Sequence, residues 1–181
     1  TIAVTGGDIA GAMSDIDATV RVFKGIPFAA PPEGELRWQS PQPVAAWEDS
    51  RDATAFAPAC MQATRPVDSF YGPGADEMSE DCLYLNVWTA AESADAAQPV
   101  LVWVHGGGLN NGTGASVVYR GEALAARGAV VVTTNYRLGP LGYLAHALLS
   151  AEDPHGSSGN YGVLDQVAAL EWVRDNIAAF G

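Results

Sequence analysis

The sequence is short of positive charge. Nine lysines and arginines stand against 21 aspartates and glutamates, which gives a formal net charge of −12 at pH 7. Proteins that bind nucleic acid or an anionic membrane surface usually carry basic patches. Long apolar runs are also lacking, and no stretch approaches the roughly 20 residues of a membrane-spanning helix. We therefore expect no nucleic-acid partner and no membrane partner.

Cysteine is nearly absent, since Cys60 and Cys82 are the only two. Composition alone leaves open whether they pair. The chain has no metal-ligand spacing and no phosphate-binding loop, so we expect no metal and no cofactor. With 48% hydrophobic residues over 181 positions, its composition is that of a globular chain.

The stretch with the clearest chemistry is an apolar run, 100–104, that ends at the sequence HGGG, residues 105–108. The run predicts a strand buried on both faces of a parallel sheet. A strand that ends in HGGG is typical of lipases and esterases. In those enzymes, backbone N–H groups of the motif bind the negative oxygen that develops on an attacked ester carbonyl.

Two other interpretations of the glycines remain open at this point. They could form only a tight turn between a strand and a helix, because short motifs are hypotheses. Gly106, Gly108 and Gly112 also resemble a dinucleotide fingerprint, but that motif needs a helix that opens directly from the glycines. Residues 109–116 read as a loop instead.

The remaining pattern predicts an α/β chain. Thr19–Phe23 alternates and predicts a half-exposed strand in a small antiparallel sheet. Residues 82–88 and 129–134 predict further strands, and 122–127 predicts a short helix closed by a glycine. The order strand, helix, strand over 100–134 is that of a βαβ unit. Apolar residues at helical spacing predict an amphipathic helix over 161–179; they are Val163, Val167, Leu170, Val173 and Ile177.

Several long segments together resemble the type-B carboxylesterase (cholinesterase-like) family of α/β-hydrolases. They are FKGIPFAAPP, LRWQSPQP followed by Trp47, EMSEDCLYLNVW, the strand into HGGG, NYRLGPLGYL and GNYGVLDQVAALEWVRDNIAAFG. The resemblance covers the whole chain but only the N-terminal portion of the family's single domain. It implies an α/β-hydrolase fold over 1–181, with a small antiparallel N-terminal sheet and then a central, mostly parallel sheet with helices. A C-terminal piece would complete that fold.

The resemblance also assigns roles to the glycine motif. Gly107 and Gly108 would supply two N–H groups of the oxyanion hole. His105 and Gly106 would hold the loop in shape.

Cys60 and Cys82 match the family's first disulfide, which closes a loop on the wall of the active-site gorge. A bridge would imply an oxidising compartment. We therefore expect a secreted or periplasmic protein.

Two ion pairs are also implied. Arg37 and Glu80 match one buried pair of the family, and Arg137 and Asp165 resemble a second. Their roles would be structural.

Two positions in the gorge depart from the family. Leu109 stands where many members have an aromatic residue after the glycines. Gly72, with Tyr71 beside it, stands where cholinesterases carry the tryptophan of the quaternary-ammonium site. We therefore expect a general carboxylic-ester hydrolase that is not selective for choline.

The chain contains no serine in a GxSxG context. The nearest is Ser158, in the stretch GSSGN, where the closing glycine is misplaced. His146 and His155 lie in segments that the family does not use for catalysis. A triad of His155, Ser157 and Asp165 is conceivable only if the geometry supports it. The family's nucleophile, acid and histidine all follow the HGGG segment and would lie beyond Gly181.

The resulting hypothesis is the oxyanion-binding part of a serine esterase that acts on small-molecule carboxylic esters. Its catalytic triad would be carried by a C-terminal polypeptide of the same esterase. The alternative is a non-catalytic, cholinesterase-like binding or adhesion module.

Overall fold

The computed structural model describes residues 1–63 and 77–181. The strands in these residues are β1 (Ile2–Val4), β2 (Gly7–Ala10), β3 (Ala12–Met13), β4 (Arg21–Pro27), β5 (Arg51–Asp52), β6 (Ala59–Cys60), β7 (Met78–Ser79), β8 (Tyr84–Thr89), β9 (Val100–Val104) and β10 (Val130–Thr134). The α-helices are α1 (Glu122–Ala125), α2 (Gly139–Tyr143), α3 (Ala147–Glu152) and α4 (Tyr161–Asn176). Short 3₁₀ turns occupy Gly34–Leu36, Ala94–Ala96, Val117–Tyr119 and Ile177–Phe180. None of the described helices is long and apolar enough to cross a membrane.

The central sheet has the strand order β3-β4-β8-β10-β9. β9 and β10 pair in parallel and are joined through α1, which confirms the predicted βαβ unit. The other pairings of this sheet, β3 with β4, β4 with β8 and β8 with β10, are antiparallel. Within the described residues, the sheet is therefore mixed, and its parallel part is the β9–β10 end.

The N-terminal sheet is formed by β1, β2 and β5. β1 and β2 are antiparallel, and β5 adds in parallel to β2. The prediction that Thr19–Phe23 belongs to this sheet as a half-exposed strand was wrong. Its residues lead into β4 of the central sheet, where Val22 and Phe23 are both buried because apolar clusters cover both faces.

Among the strands that the structure describes, β9 is the edge of the central sheet. Val100, Leu101, Trp103 and Val104 are between 37% and 42% exposed. The prediction of a strand buried on both faces was therefore wrong for β9, whereas every residue of the neighbouring β10 is buried. The difference arises because β10 lies between two strands, whereas β9 pairs with only one of the described strands.

Helix α4 confirms the predicted helix, but most of the predicted stripe is not its buried face. Val163, Val167 and Leu170 are between 44% and 49% exposed. The side that packs on the core is carried by Asp165, Ala169, Trp172, Val173 and Asn176, all buried. The helix thus has a second apolar face that is open in this structure.

The buried side of α4 is tied to the segment after β10 by an ion pair. Asp165 Oδ2 accepts hydrogen bonds from the backbone N–H of Arg137 at 3.0 Å and from its Nε at 2.8 Å, and Oδ1 accepts from Nη2 at 2.7 Å. The two side chains are 4% and 0% exposed. Both charges are therefore removed from water and are compensated chiefly by each other.

The pair of Arg37 and Glu80 differs in environment. Its oxygens and nitrogens meet at 2.6 Å, and the hydrogen bond from Arg37 lowers the pKa of Glu80. The side chains are 38% and 25% exposed, so the prediction that this pair is buried was wrong. Solvent screens such a pair, so its contribution to stability is small.

Replacing Asp165 by alanine should leave the guanidinium of Arg137 buried without its counter-charge. We expect Asp165→Ala to lower the free energy of unfolding by about 3–5 kcal/mol. Asp175→Ala is the matched control on the same helix, because the pair of Asp175 with Arg174 is exposed and its loss should cost far less. Urea denaturation followed by tryptophan fluorescence measures both, and equal losses would contradict the structural role of Asp165.

Candidate active site

The loop that follows β9, residues 105–112, is called the glycine loop below. Its backbone enters the left-handed region at Gly107 (φ +124°), Gly108 (φ +61°), Leu109 (φ +63°) and Gly112 (φ +122°). A Cβ at Gly107 would collide with the backbone carbonyl of Asn111, whereas one at Gly108 would meet nothing within 4 Å. Glycine at 107 is thus required by both conformation and space.

The N–H groups of Gly107 and Gly108 have no acceptor in the part of the chain that the structure describes. Gly107 lines a cleft of about 340 Å³ together with Gly112, Ser116 and Tyr119, among others. Gly108 borders a second, more open groove. Consecutive free N–H groups in a left-handed turn can bind an anion. They can also stabilise an oxygen that becomes negative during a reaction.

His105 is buried at the base of the glycine loop. Its ring stacks on the ring of Tyr136 with centroids 4.4 Å apart, and its Nδ1 donates to the Gly106 carbonyl at 2.8 Å. The Tyr136 hydroxyl donates to the His105 carbonyl at 2.8 Å. Burial lowers the pKa of His105, and the hydrogen bond to Gly106 offsets this only in part. These contacts suit a neutral histidine that supports the loop.

Leu109 presents a half-exposed side chain to the open groove beside Pro140 and Tyr143. Its carbonyl accepts a hydrogen bond of 2.8 Å from the N–H of Gly139, which connects the glycine loop to α2. Tyr71, the other predicted gorge residue, lies outside the described residues, as does Gly72.

Cys60 and Cys82 form a disulfide across 22 residues, and both are buried. The bond joins β6 to the residue shortly before β8. Sequence reasoning missed two residues that connect this region to the glycine loop. Gln62 hydrogen-bonds to Gly112, and Asn135 bonds to the carbonyl of Cys82 and to the N–H of Gly114. Gln62 lies in none of the quoted motifs, and Asn135 begins the NYRLGPLGYL segment, to which the resemblance gave no role for this side chain.

The histidine, serine and aspartate considered as a triad within this chain do not form one. Asp165 is fully engaged with Arg137. His155 and Ser157 are exposed whereas Asp165 is buried, and among the described residues no hydrogen bond joins any two of the three. Among residues 1–63 and 77–181, no group of three or more His, Cys, Asp and Glu side chains is placed to hold a metal ion.

Comparison with known proteins gives matches over the whole chain. The sequence profile of the carboxylesterase family matches residues 1–181. Fumonisin B1 esterase of Sphingopyxis macrogoltabida is 51% identical over 171 residues, covering 94% of this chain and 31% of that protein. Para-nitrobenzyl esterase of Bacillus subtilis is 47% identical over 163 residues, covering 90% and 32%. The chain therefore spans about a third of the length of these curated relatives.

Solved structures agree with the sequence matches. A PNB esterase superimposes with a TM-score of 0.86 at 42% identity, covering 99% of this chain and 36% of the other. The Geobacillus stearothermophilus carboxylesterase Est55 superimposes with a TM-score of 0.85 at 43% identity, covering 99% and 35%. The predicted fold class, the N-terminal part of an α/β-hydrolase, is thereby confirmed.

The burial of His105 should make stability depend on pH. Its folded-state pKa lies below the ordinary value of 6.5, so the unfolded chain binds more protons as the pH falls through that value. The contribution of neutral His105 is present above pH 6.5 and is lost as the pH falls towards the folded-state pKa. We expect the free energy of unfolding to decline over this window, and less so in His105→Gln. The exposed His155 supplies the control, His155→Gln, which should keep the wild-type profile; identical profiles for all three proteins would contradict the prediction.

Proposed function

The chain belongs to the carboxylesterase family, and on that premise we propose that it forms the oxyanion-binding part of a serine esterase. The substrate class is small-molecule carboxylic esters. The observation that carries the proposal is that the N–H groups of Gly107 and Gly108 have no acceptor among the described residues, while Gly107 lines a cleft and Gly108 borders a second groove. The relatives support it, because several of those matched are named as esterases or carboxylesterases.

In this proposal the reaction is acyl transfer. A serine oxygen attacks the ester carbonyl and gives its proton to a histidine, and the carbonyl oxygen becomes negative. The N–H groups of Gly107 and Gly108 donate to that oxygen. The alcohol leaves with the proton from the histidine, and water then attacks the acyl-serine and releases the acid.

The serine, histidine and acid would come from a C-terminal polypeptide of the same esterase. Two surfaces of this chain suit such a partner. The open edge of β9 offers unpaired backbone groups beside exposed apolar side chains, and α4 offers the apolar face of Val163, Val167 and Leu170. Unpaired apolar edges of this kind normally pair with further strands.

The compartment and the breadth of specificity follow from two further features. The Cys60–Cys82 disulfide favours an oxidising environment, so we infer secretion or a periplasmic location. Leu109 supplies an aliphatic wall at the open groove. Gly72 stands where cholinesterases carry the tryptophan of the quaternary-ammonium site, so we infer a general ester hydrolase that is not selective for choline.

Hydrolysis of p-nitrophenyl acetate, combined with labelling by a fluorophosphonate probe, tests the proposal. We expect hydrolysis, and a label on a GxSxG serine of the polypeptide that carries the triad. Neither hydrolysis nor label would instead favour the non-catalytic binding module. A label on a serine within residues 1–181 would contradict the assignment of the nucleophile.

Gly108→Ala separates the oxyanion role from loop stability. Gly34 is its matched control, because its φ of +55° is close to the +61° of Gly108 and a Cβ would meet nothing within 4 Å at either position. Alanine in the left-handed region should cost both variants about 1–2 kcal/mol of stability. Only Gly108→Ala should also lose about 100-fold in turnover, because the added methyl group would take up space in the groove that Gly108 borders and displace the ester from the N–H groups. Equal activities of the two variants would show that the glycine loop is only a turn.

A further inference from the structure

The side chain of Gln62 makes a paired contact with the glycine loop. Its Nε2 donates to the carbonyl of Gly112 at 2.8 Å, and its Oε1 accepts from the N–H of Gly112 at 2.8 Å. A primary amide has both a donor and an acceptor, so it can satisfy both backbone groups of one residue. A carboxylate or an apolar side chain cannot do this.

Gly112 is restrained from its other side as well. Its φ is +122°, and a Cβ there would overlap Nδ1 of His105 and lie 2.6 Å from the Gly106 carbonyl. Gly112 is therefore packed between the amide of Gln62 and the start of the same loop. The contact of Gly112 with residues 105 and 106 closes the loop on itself. It therefore restrains the backbone between them, including the orientation of the N–H groups of Gly107 and Gly108.

Gln62 is itself anchored in the core. Its Nε2 also donates to the Cys60 carbonyl at 3.0 Å, and Cys60 is bonded to Cys82. The amide of Asn135 binds the carbonyls of both Pro58 and Cys82 at 3.1 Å. The segment before Gln62 is thus fixed to the strands of the central sheet by a covalent bond and by hydrogen bonds.

We propose that Gln62 is a positioning residue for the oxyanion-binding N–H groups. It acts through Gly112, and the Cys60–Cys82 disulfide provides its anchor. The inference rests on the proposed esterase function for its catalytic consequence, but the restraint on the loop is independent of that function. Loss of the hydrogen bonds between Gln62 and Gly112 should impair stabilisation of the transition state more than binding of the ester. The reason is that the N–H groups of Gly107 and Gly108 meet a full negative charge only in the transition state.

The test compares Gln62→Met, Gln62→Glu and the control Gln42→Met in the whole protein that contains this chain. Methionine has a similar length and removes all three hydrogen bonds, whereas glutamate retains only the acceptor for the Gly112 N–H. Gln42 is exposed, and its Nε2 donates only to the Ser40 carbonyl of its own loop. The readouts are kcat and KM for p-nitrophenyl acetate, and hydrogen exchange of peptides covering 105–112 and 84–89.

For Gln62→Met we expect kcat to fall by about 10- to 100-fold, as for a misplaced catalytic group, with KM changed by less than about threefold. Exchange at Gly112 should accelerate by about tenfold or more, because its N–H loses its acceptor. The peptide from β8 should exchange at the wild-type rate. The kcat and the exchange rate of Gln62→Glu should lie between those of Gln62→Met and the wild type. Both quantities should be unchanged in Gln42→Met.

Three results would overturn the proposal. They are unchanged kcat and unchanged exchange in Gln62→Met, equal acceleration in both peptides, and KM rising as much as kcat falls. If Gln62→Met does not fold, Gln62→Glu decides by the same criteria. If the wild type hydrolyses no ester, the proposed function fails, and exchange at 105–112 against 84–89 still decides whether Gln62 restrains the loop.

Discussion

The buried ion pair between Arg137 and Asp165 is the interaction on which the rest of this structure depends. It joins α4 to the chain directly after β10 through the backbone N–H as well as the guanidinium of Arg137. A buried carboxylate accepting three such bonds admits little movement of either element, because each lost bond would expose charge to an apolar interior. The direction in which the chain leaves β10 is thereby determined.

That direction matters because neighbouring residues of the same segment support the glycine loop and the disulfide. Asn135 binds the carbonyl of Cys82 and the N–H of Gly114. Tyr136 stacks on His105 and donates to its carbonyl. Three consecutive residues thus contact the disulfide region, the start of the glycine loop and α4. A disturbance of the ion pair would be transmitted to the site through neighbours only one or two residues away.

Local patterns in the sequence predicted elements better than they predicted environments. The apolar run before HGGG predicted β9, and helical spacing predicted α4. Burial depends on what covers an element, however, and none of residues 1–63 and 77–181 covers β9 or the face of Val167 and Leu170. The side of α4 that is buried is determined instead by the ion pair of Asp165 with Arg137, which lies 28 residues earlier in the chain.

In the site too, the local motif could be predicted from the sequence, whereas its contacts with distant residues could not. HGGG predicted where the glycine loop lies, because the motif is local and its conformation is encoded by the glycines themselves. The support from Gln62 could not be predicted, since it comes from 50 residues away and is made by a common polar side chain. The Cys60–Cys82 bond followed from family resemblance alone, because two cysteines carry no geometric information until the chain is folded.

The supports of the glycine loop have a consequence for recognition. Each comes from this chain: Gln62 at Gly112, Tyr136 at His105 and Gly139 at Leu109. The conformational entropy of the loop is therefore lost when the chain folds, and binding of a substrate has no further ordering to accomplish there. In the proposed esterase, less of the free energy of contact with an ester would therefore be offset by ordering of the loop. The contacts within the chain thus set the shape of the loop before any ligand binds.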